Sequence, residues 1–374
     1  MQITDVKING MKNPIGFEFD TVRVSWKVRN TEAKQQKNAK IEVATEETFQ
    51  ILIAEKEGAE LNSASETIEI SLKPRTRYYV RVTVENEQGE KVVSTPAYFE
   101  TAKMEEAWAA KWITTAEDDK FAPIFTKTFK TEKTDEKKLE SAKLYISGLG
   151  LFTAHLNGKK IGNEVLTPYY SDYHEEEQYL TFDVTDEIKE ENKLEVSLGN
   201  GWYKGKFGLA GQKENFGSHF LLIAELHLTY TDGEEQVIVT DDTWNYTGSD
   251  IEDDSIYDGE IINHLLWDGK ENVEKKAVLA DETIKIGKLI PRYSLPVKEM
   301  EDMSVKEIIH TPAGETVLDF GQNFAGYITF TNHQKKGTKL VFDFGEILQN
   351  GNFYNENYRS AKSQFVYISD GREE

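Results

Sequence analysis

The strongest constraint on this chain is a period of two in its apolar residues. In TVRVSWKV, Val22, Val24, Trp26 and Val28 alternate with Thr21, Arg23, Ser25 and Lys27. An extended backbone turns successive side chains to opposite faces, so this spacing gives one apolar and one polar face, as in a half-buried strand. A helix would scatter the same residues around its circumference. YYVRVTVENEQGEKVV repeats the pattern, with Val80, Val82 and Val84 inward and a turn at Glu87, Gln88 and Gly89. With AKIEVATEETF and TIEISL between them, about seven short strands fit before Thr101. The expectation is a fibronectin type III-like or immunoglobulin-like sandwich over residues 1–103.

A second unit is expected over 104–290, opening at MEEAWAAKWI. Its strands are AKLYISG, LFTAHLNGKKIG, QYLTFDVT, NKLEVSLGN, HFLLIAELHLTY and EQVIVTDDTW. Asn157-Gly158, between LFTAHL and KKIG, is the dipeptide that suits both positive-φ positions of a type I′ hairpin turn. Antiparallel strands with long loops point to a jelly-roll, galactose-binding-like sandwich that could serve as a carbohydrate-binding module. The one convincing helix is short, Thr185 to Glu191, with Thr185 as its cap. Pro291 and Pro296 bracket PRYSLP, read as a rigid joint. A third unit follows over 291–374, with ETVLDFG, GYITFTN, TKLVFDFGEIL and SQFVYIS as strands and Asp370-Gly371 as a turn awaiting another. The fold class is all-β, tandem β-sandwiches, the last of them partial and concanavalin-like.

Composition narrows the chemistry. The 374 residues contain no cysteine, which excludes disulfides, thiolate zinc sites and cysteine nucleophiles. No basic segment followed by an apolar run opens the chain, and nothing approaches the roughly 20 apolar residues of a membrane span. A cytoplasmic protein with no membrane partner is expected. Sixty-six acidic against 44 basic residues give a formal charge of −22, which opposes binding to nucleic acid or acidic membranes. Neutral ligands such as glycans suit this charge, which also serves plain solubility.

No Walker loop, H-E-x-x-H or G-x-S-x-G is present, and Gly148-Leu149-Gly150 lacks the third glycine and helix of a dinucleotide site. The seven histidines are scattered; His155 and His227 fall in alternating strands, where a solvent-facing or hydrogen-bonded ring is the ordinary role. DIEDDSIYDGE supplies Asp250, Glu252, Asp253, Asp254, Asp258 and Glu260, hard oxygens for calcium but without EF-hand spacing, so a solvated acidic loop is the plainer reading. Among 66 acids no hydrolytic pair stands out. LGNGWYKGKFG, Leu198 to Gly208, packs glycine and aromatic residues together, a composition suited either to gripping a sugar or to plugging the end of a sandwich.

Taken in order, YYVRVTVENEQGE, KWI, LFTAHLNGKKIGNEVLTPYYSDY, QYLTFDVTDEI, LGNGWYKGKFG, SIYDGEII and ETVLDFGQNFAGYITF…GTKLVFDFGEILQNGNFYNENYRSAKSQFVY resemble the N-terminal half of the bacterial α-L-rhamnosidases. The resemblance covers essentially the whole chain. It implies an enzyme that releases terminal α-L-rhamnose through an (α/α)6 barrel following these modules, with a glutamate as general acid. Such a barrel needs a dozen long amphipathic helices, and this chain offers scarcely one. The chain alone is therefore expected to be inactive, with no catalytic residue of its own, scaffolding the missing C-terminal catalytic domain. In some relatives the jelly-roll module binds rhamnose with calcium, whose ligands do not map onto this sequence. If sugar binding is kept, Trp202 or Tyr203 supplies a stacking face, while Asn200, Asp258 and Glu260 bond its hydroxyls. The competing role is structural: Trp202 as a plug, and Asp258 with Glu260 tying a loop to backbone N–H groups. Gln322, Asn323, Phe324, Asn355, Asn357 and Arg359 either face the barrel or serve turns. A free-standing lectin-like protein is the alternative.

Overall fold

In the computed structural model, which describes residues 1–117, 121–132, 137–206, 211–266 and 273–373, the alternation at Val22 becomes a strand. Val22, Val24 and Trp26 are buried and Arg23 and Lys27 exposed. This strand is the middle of a sheet ordered Gln2–Ile8, Val22–Arg29, Glu66–Ile68. A second sheet runs Ile15–Phe17, Ala97–Thr101, Arg77–Asn86, Gln36–Ala44, Leu52–Gly58, with Lys91–Val93 added beside Arg77–Asn86. The two share a core in which Val24 and Trp26 meet Ile41, Val43, Val80, Val82 and Phe99. Each such side chain buried contributes about 1.5–3 kcal/mol. The turn at Glu87 to Gly89 forms, with Gly89 at φ 82° and the Asn86 N–H donating to the Glu90 carbonyl.

By its contacts the chain divides into two compact units, and Leu289–Ser294 belongs to the first together with Met1–Trp108 and Gln178–Phe182. PRYSLP is thus no exposed joint at its first half. Arg292 is buried with its guanidinium 5.0 Å from the Phe17 ring centre, and the N–H groups of Tyr293 and Ser294 both donate to Gln178 Oε1 at 3.1 Å.

The second unit, Ala109–Glu177, Asp183–Lys288 and Leu295–Glu374, carries the jelly-roll strands. In one sheet Leu139–Leu149 pairs along its length with Leu221–Tyr230, which is flanked by Ile113–Thr114 and Glu235–Val239. Leu221–Tyr230 is buried almost throughout and is paired on both edges. Its His227 lies between Glu225 and Glu235, 3.0 Å from each, a hydrogen-bonded ring and not a metal ligand. The other sheet orders Lys159–Lys160, Leu151–Leu156, Glu191–Gly199, Pro123–Lys130, Asn245–Gly248 and Lys275–Lys276. In Glu191–Gly199 the buried residues are Asn192, Leu194, Val196 and Leu198, a strict alternation. Asn157 and Gly158 take φ 55° and 81°, the type I′ turn their identities favour.

Two expectations need correction. The helix at Thr185 is a single 3-10 turn, Thr185–Glu187; the Thr185 hydroxyl donates to Asp183 at 2.6 Å instead of capping, and the next strand already begins at Glu191. GYITFTN forms no strand: it is irregular, and Tyr327 and Phe330 are exposed. Apolar alternation makes a strand only where a neighbour accepts its backbone bonds.

A further sheet decides where the site lies. Its order is Ile251–Ser255, Gly259–Asn263, Gln364–Ile368, Lys339–Asp343, so the acidic stretch of the middle sequence joins strands from the end of the chain. Among the described residues no helix is long and apolar enough to cross a membrane.

Candidate functional site

The acidic stretch folds as a hairpin in which Asp254 is paired with Glu260 and Ser255 with Gly259. The returning strand runs parallel to Gln364–Ile368, placing Glu260 beside Phe365. Gly259 makes this junction possible. It sits at φ +77°, and a Cβ there would lie 1.9 Å from the Gln364 carbonyl oxygen.

On its other side the hairpin is clamped to the glycine-aromatic loop. Within that loop Gly201–Lys204 forms one turn of α-helix. The Asn200 N–H donates to both Asp254 carboxylate oxygens, at 3.1 and 2.9 Å, and Asn200 Nδ2 donates to the Asp254 carbonyl and to Oδ1, each at 2.9 Å. The Lys206 N–H donates to Ser255 Oγ at 3.1 Å, and Lys206 Nζ pairs with Asp258 at 2.8 Å. Gly199 closes the contact, since a Cβ at that position would fall 2.4 Å from Asp254 Oδ2.

These segments wall a cleft of about 890 Å³. Its polar lining includes Asp254, Tyr257, Glu260, Tyr327, Tyr358, Arg359 and Gln364, and Leu151, Ile262, Phe344 and Phe365 are among its apolar lining. The volume is that of a small-molecule site, and a few polar groups over an apolar wall suit a ligand with hydroxyls on one face and C–H bonds on another. Burial pushes the Asp254 carboxyl up to about 7 against the opposing Asn200 N–H bond, and nearby Glu260 and Asp253 add to the rise. Glu260 is raised as well, by burial first and then by Asp250. The Glu260 charge, directly across the ladder, favours the protonated form of Asp254. Both stand on one hairpin, on paired neighbouring strands, whereas hydrolytic carboxyls flank the bond they cleave. Arg359 reaches the cleft from a strained backbone, φ 59° and ψ −111°, of the kind that persists where surroundings enforce it.

The residues named from sequence divide here. Glu260 lines the cleft, whereas Asn200 and Asp258 do not: Asn200 is occupied in holding Asp254 and Asp258 in pairing Lys206. Tyr203 does not offer a stacking face. It is fully buried against Tyr173, with ring centres 5.3 Å apart, in a cluster with Leu149 and Leu221. Among the described residues its buried hydroxyl has no hydrogen-bond partner, and burial, reinforced by Glu177, pushes it up to about 12. Trp202 packs on the edge of this cluster, 6.2 Å from Tyr170 and edge-to-face, and does not line the cleft. Phe207 and Gly208, the end of the loop, lie outside the described residues.

Calcium does not fit the acidic stretch as arranged. Asp250 pairs with His264, Asp254 with Asn200, Asp258 with Lys206, and Glu252 accepts from Asn263, so the oxygens diverge. Among the described residues no group of three such side chains converges to hold a metal. Asp254 was visible in the sequence only as one acid of many; what singles it out is Asn200, and no local signal relates the two. Asn357 and Arg359 line the cleft, while Gln322, Asn323 and Phe324 do not.

Comparison with known proteins agrees with this arrangement. The family model "Rha78A-like, N-terminal immunoglobulin domain" matches residues 3–105, "Alpha-L-rhamnosidase N-terminal domain" 137–301, and "Bacterial alpha-L-rhamnosidase concanavalin-like domain" 309–374. An α-L-rhamnosidase of Alteromonas sp. (strain LOR) is 29% identical over 399 residues, an alignment covering 98% of this chain and 43% of that protein. The crystal structure of the Aspergillus terreus α-L-rhamnosidase superposes with a TM-score of 0.85 at 25% identity, covering 100% of this chain and 45% of the other. The structure of the enzyme from Dictyoglumus thermophilum gives 0.82 at 27%, with the same coverage of both. The chain spans less than half the length of these relatives. Three consecutive domain matches, in one order and on one fold, identify it as the N-terminal β-domains of the bacterial α-L-rhamnosidase family.

Proposed function

We propose that this chain serves an α-L-rhamnosidase that releases terminal α-L-rhamnose from glycosides, as three modules over 1–103, 104–290 and 291–374. Hydrolysis belongs to a catalytic domain outside these residues, which the β-modules scaffold. The succession of the three domain matches carries this reading and favours it over a free-standing lectin. The cleft adds a sugar-binding role: Asp254 and Glu260 meet hydroxyls, and the wall of Phe344 and Phe365 meets C–H faces. The purified chain is expected to release no aryl leaving group from an aryl α-L-rhamnoside, while calorimetry with L-rhamnose gives a saturable heat that Glu260→Gln removes. Heat unaffected by that substitution counts against the cleft.

A second reading, hydrolysis within this cleft, is favoured by one observation, the opposed acids Asp254 and Glu260 with raised pKa values. Turnover by the purified chain that Asp254→Asn or Glu260→Gln abolishes would establish it and displace the first.

A further inference from the structure

Glu177 is wholly buried inside the second unit. Its Oε1 accepts from the Ser147 hydroxyl at 2.9 Å. Oε2 has no hydrogen-bond partner among the described residues, and neither has the hydroxyl of the buried Ser171. Ser171 nevertheless stands close enough to act on the carboxyl, after Ser147. Two neighbouring polar atoms left unbonded in the interior are costly, and a proton between them removes the cost. Among the described residues no positive charge faces this carboxyl. Of the strands beside it, Leu139–Leu149 brings Ser147, and Lys288 of Lys288–Pro291 is exposed to solvent. The titratable groups that face Glu177 are Tyr173 and Tyr203, whose hydroxyls are both pushed up, by burial first and then by Glu177. Burial likewise holds the Glu177 carboxyl well above the usual carboxylate range, against the two serine hydroxyls. An ionised carboxylate here has no cation to offset its desolvation.

We infer that Glu177 is a pH-sensitive latch: as the neutral acid it accepts from Ser147 and donates from Oε2 to Ser171 Oγ, and its ionisation unfastens the glycine-aromatic loop packed on it. The connection runs through one pair of rings. Ser171 lies two residues before Tyr173, which packs on Tyr203 with ring centres 5.3 Å apart, in the cluster with Leu149 and Leu221. Tyr203 belongs to the turn Gly201–Lys204, and Asn200 just before it holds Asp254. Loss of the proton to solvent deletes the Oε2 donor and leaves a negative charge under the apolar floor of that turn. The sign follows from the raised value in the folded chain. Unfolded, the carboxyl titrates near its ordinary 4.5, so the stabilisation is complete below that pH and shrinks as the pH rises toward the folded value.

Two measurements on the whole chain test this. Glu177→Gln keeps the shape and a donor toward Ser171 but cannot ionise. At about pH 6 the infrared spectrum of the wild type is expected to hold a protonated-carboxyl band that Glu177→Gln lacks, and Ser171→Ala moves that band to higher frequency because the donated bond is gone. Hydrogen exchange then reads the loop, through the Lys204 and Gly205 amides that donate to the Asn200 carbonyl. Corrected for its intrinsic rate, exchange there is expected to quicken with pH more steeply in the wild type than in Glu177→Gln, by up to about tenfold per pH unit from about pH 5 until the band vanishes. The comparison isolates Glu177 from Asp254, which titrates in both proteins. An infrared spectrum with no band lost in Glu177→Gln, a band that Ser171→Ala leaves in place, or equal pH slopes in the two proteins would each overturn the inference.

Discussion

The first unit and the segment from Glu307 to Ile368 are both built from short alternating strands, yet they treat their apolar residues differently. In the first, Ile41, Val80, Val82 and Phe99 are wholly buried between two sheets. In the second, Ile308, Leu318 and Val341 are 59%, 42% and 47% exposed. Their hairpins are as regular: Glu307–His310 pairs residue for residue with Thr316–Asp319. Alternation therefore determines which side chains share a face, while burial depends on a second layer laid across that face.

The sharpest way to break this comparison is Phe99→Ala. Phe99 has no exposed surface and stacks on Tyr78 with ring centres 5.0 Å apart. Its loss should destabilise the first unit by about 3–5 kcal/mol in chemical denaturation. Next is Gly259→Ala, which strains a positive φ and drives a methyl into the Gln364 carbonyl. A loss of about 2 kcal/mol from the second unit is expected, together with weaker sugar binding. Wild-type stability there, or unchanged binding, would show that the parallel junction does not shape the cleft.

A pH series sharpens the electrostatic side. Asp254 sits at about 7 in the folded chain against an ordinary 3.8, so the folded form keeps a proton that the unfolded chain has released. Its contribution is full below about pH 4 and is lost as the pH rises to about 7, at up to about 1.4 kcal/mol per pH unit. Glu260 and the buried Glu177 are raised too and slope the same way. Asp254→Asn should flatten the curve by its own share, read as the difference between wild-type and variant unfolding midpoints across that range. Parallel curves would contradict the placement of Asp254. The smallest effect belongs to the exposed segment: Leu318→Ala should stay within about 0.5 kcal/mol of wild type.

The sequence was most readable where signals are local. Val22 to Val28, Glu87 to Gly89 and Asn157-Gly158 each carry pattern and turn chemistry within a few residues, and each forms as expected apart from the half-buried Val28. Tandem sandwiches followed from these. The site was less readable because its pieces are remote from one another. Nothing near Glu260 announces Phe365 as its parallel neighbour, and nothing near Asn200 announces Asp254. The α-turn at Gly201–Lys204 is too short to show a period, and Tyr203, apt by residue type for a sugar, is spent on the core. GYITFTN alternates well enough, yet alternation cannot supply the neighbour that a strand requires.

The cleft itself is tested most directly by a crystal of the chain soaked with L-rhamnose. The sugar is expected in the cleft, with hydroxyls against Asp254 and Glu260 and its C–H face toward Phe344 and Phe365. Sugar found instead against Tyr170 and Trp202, with the cleft holding only solvent, would contradict the account.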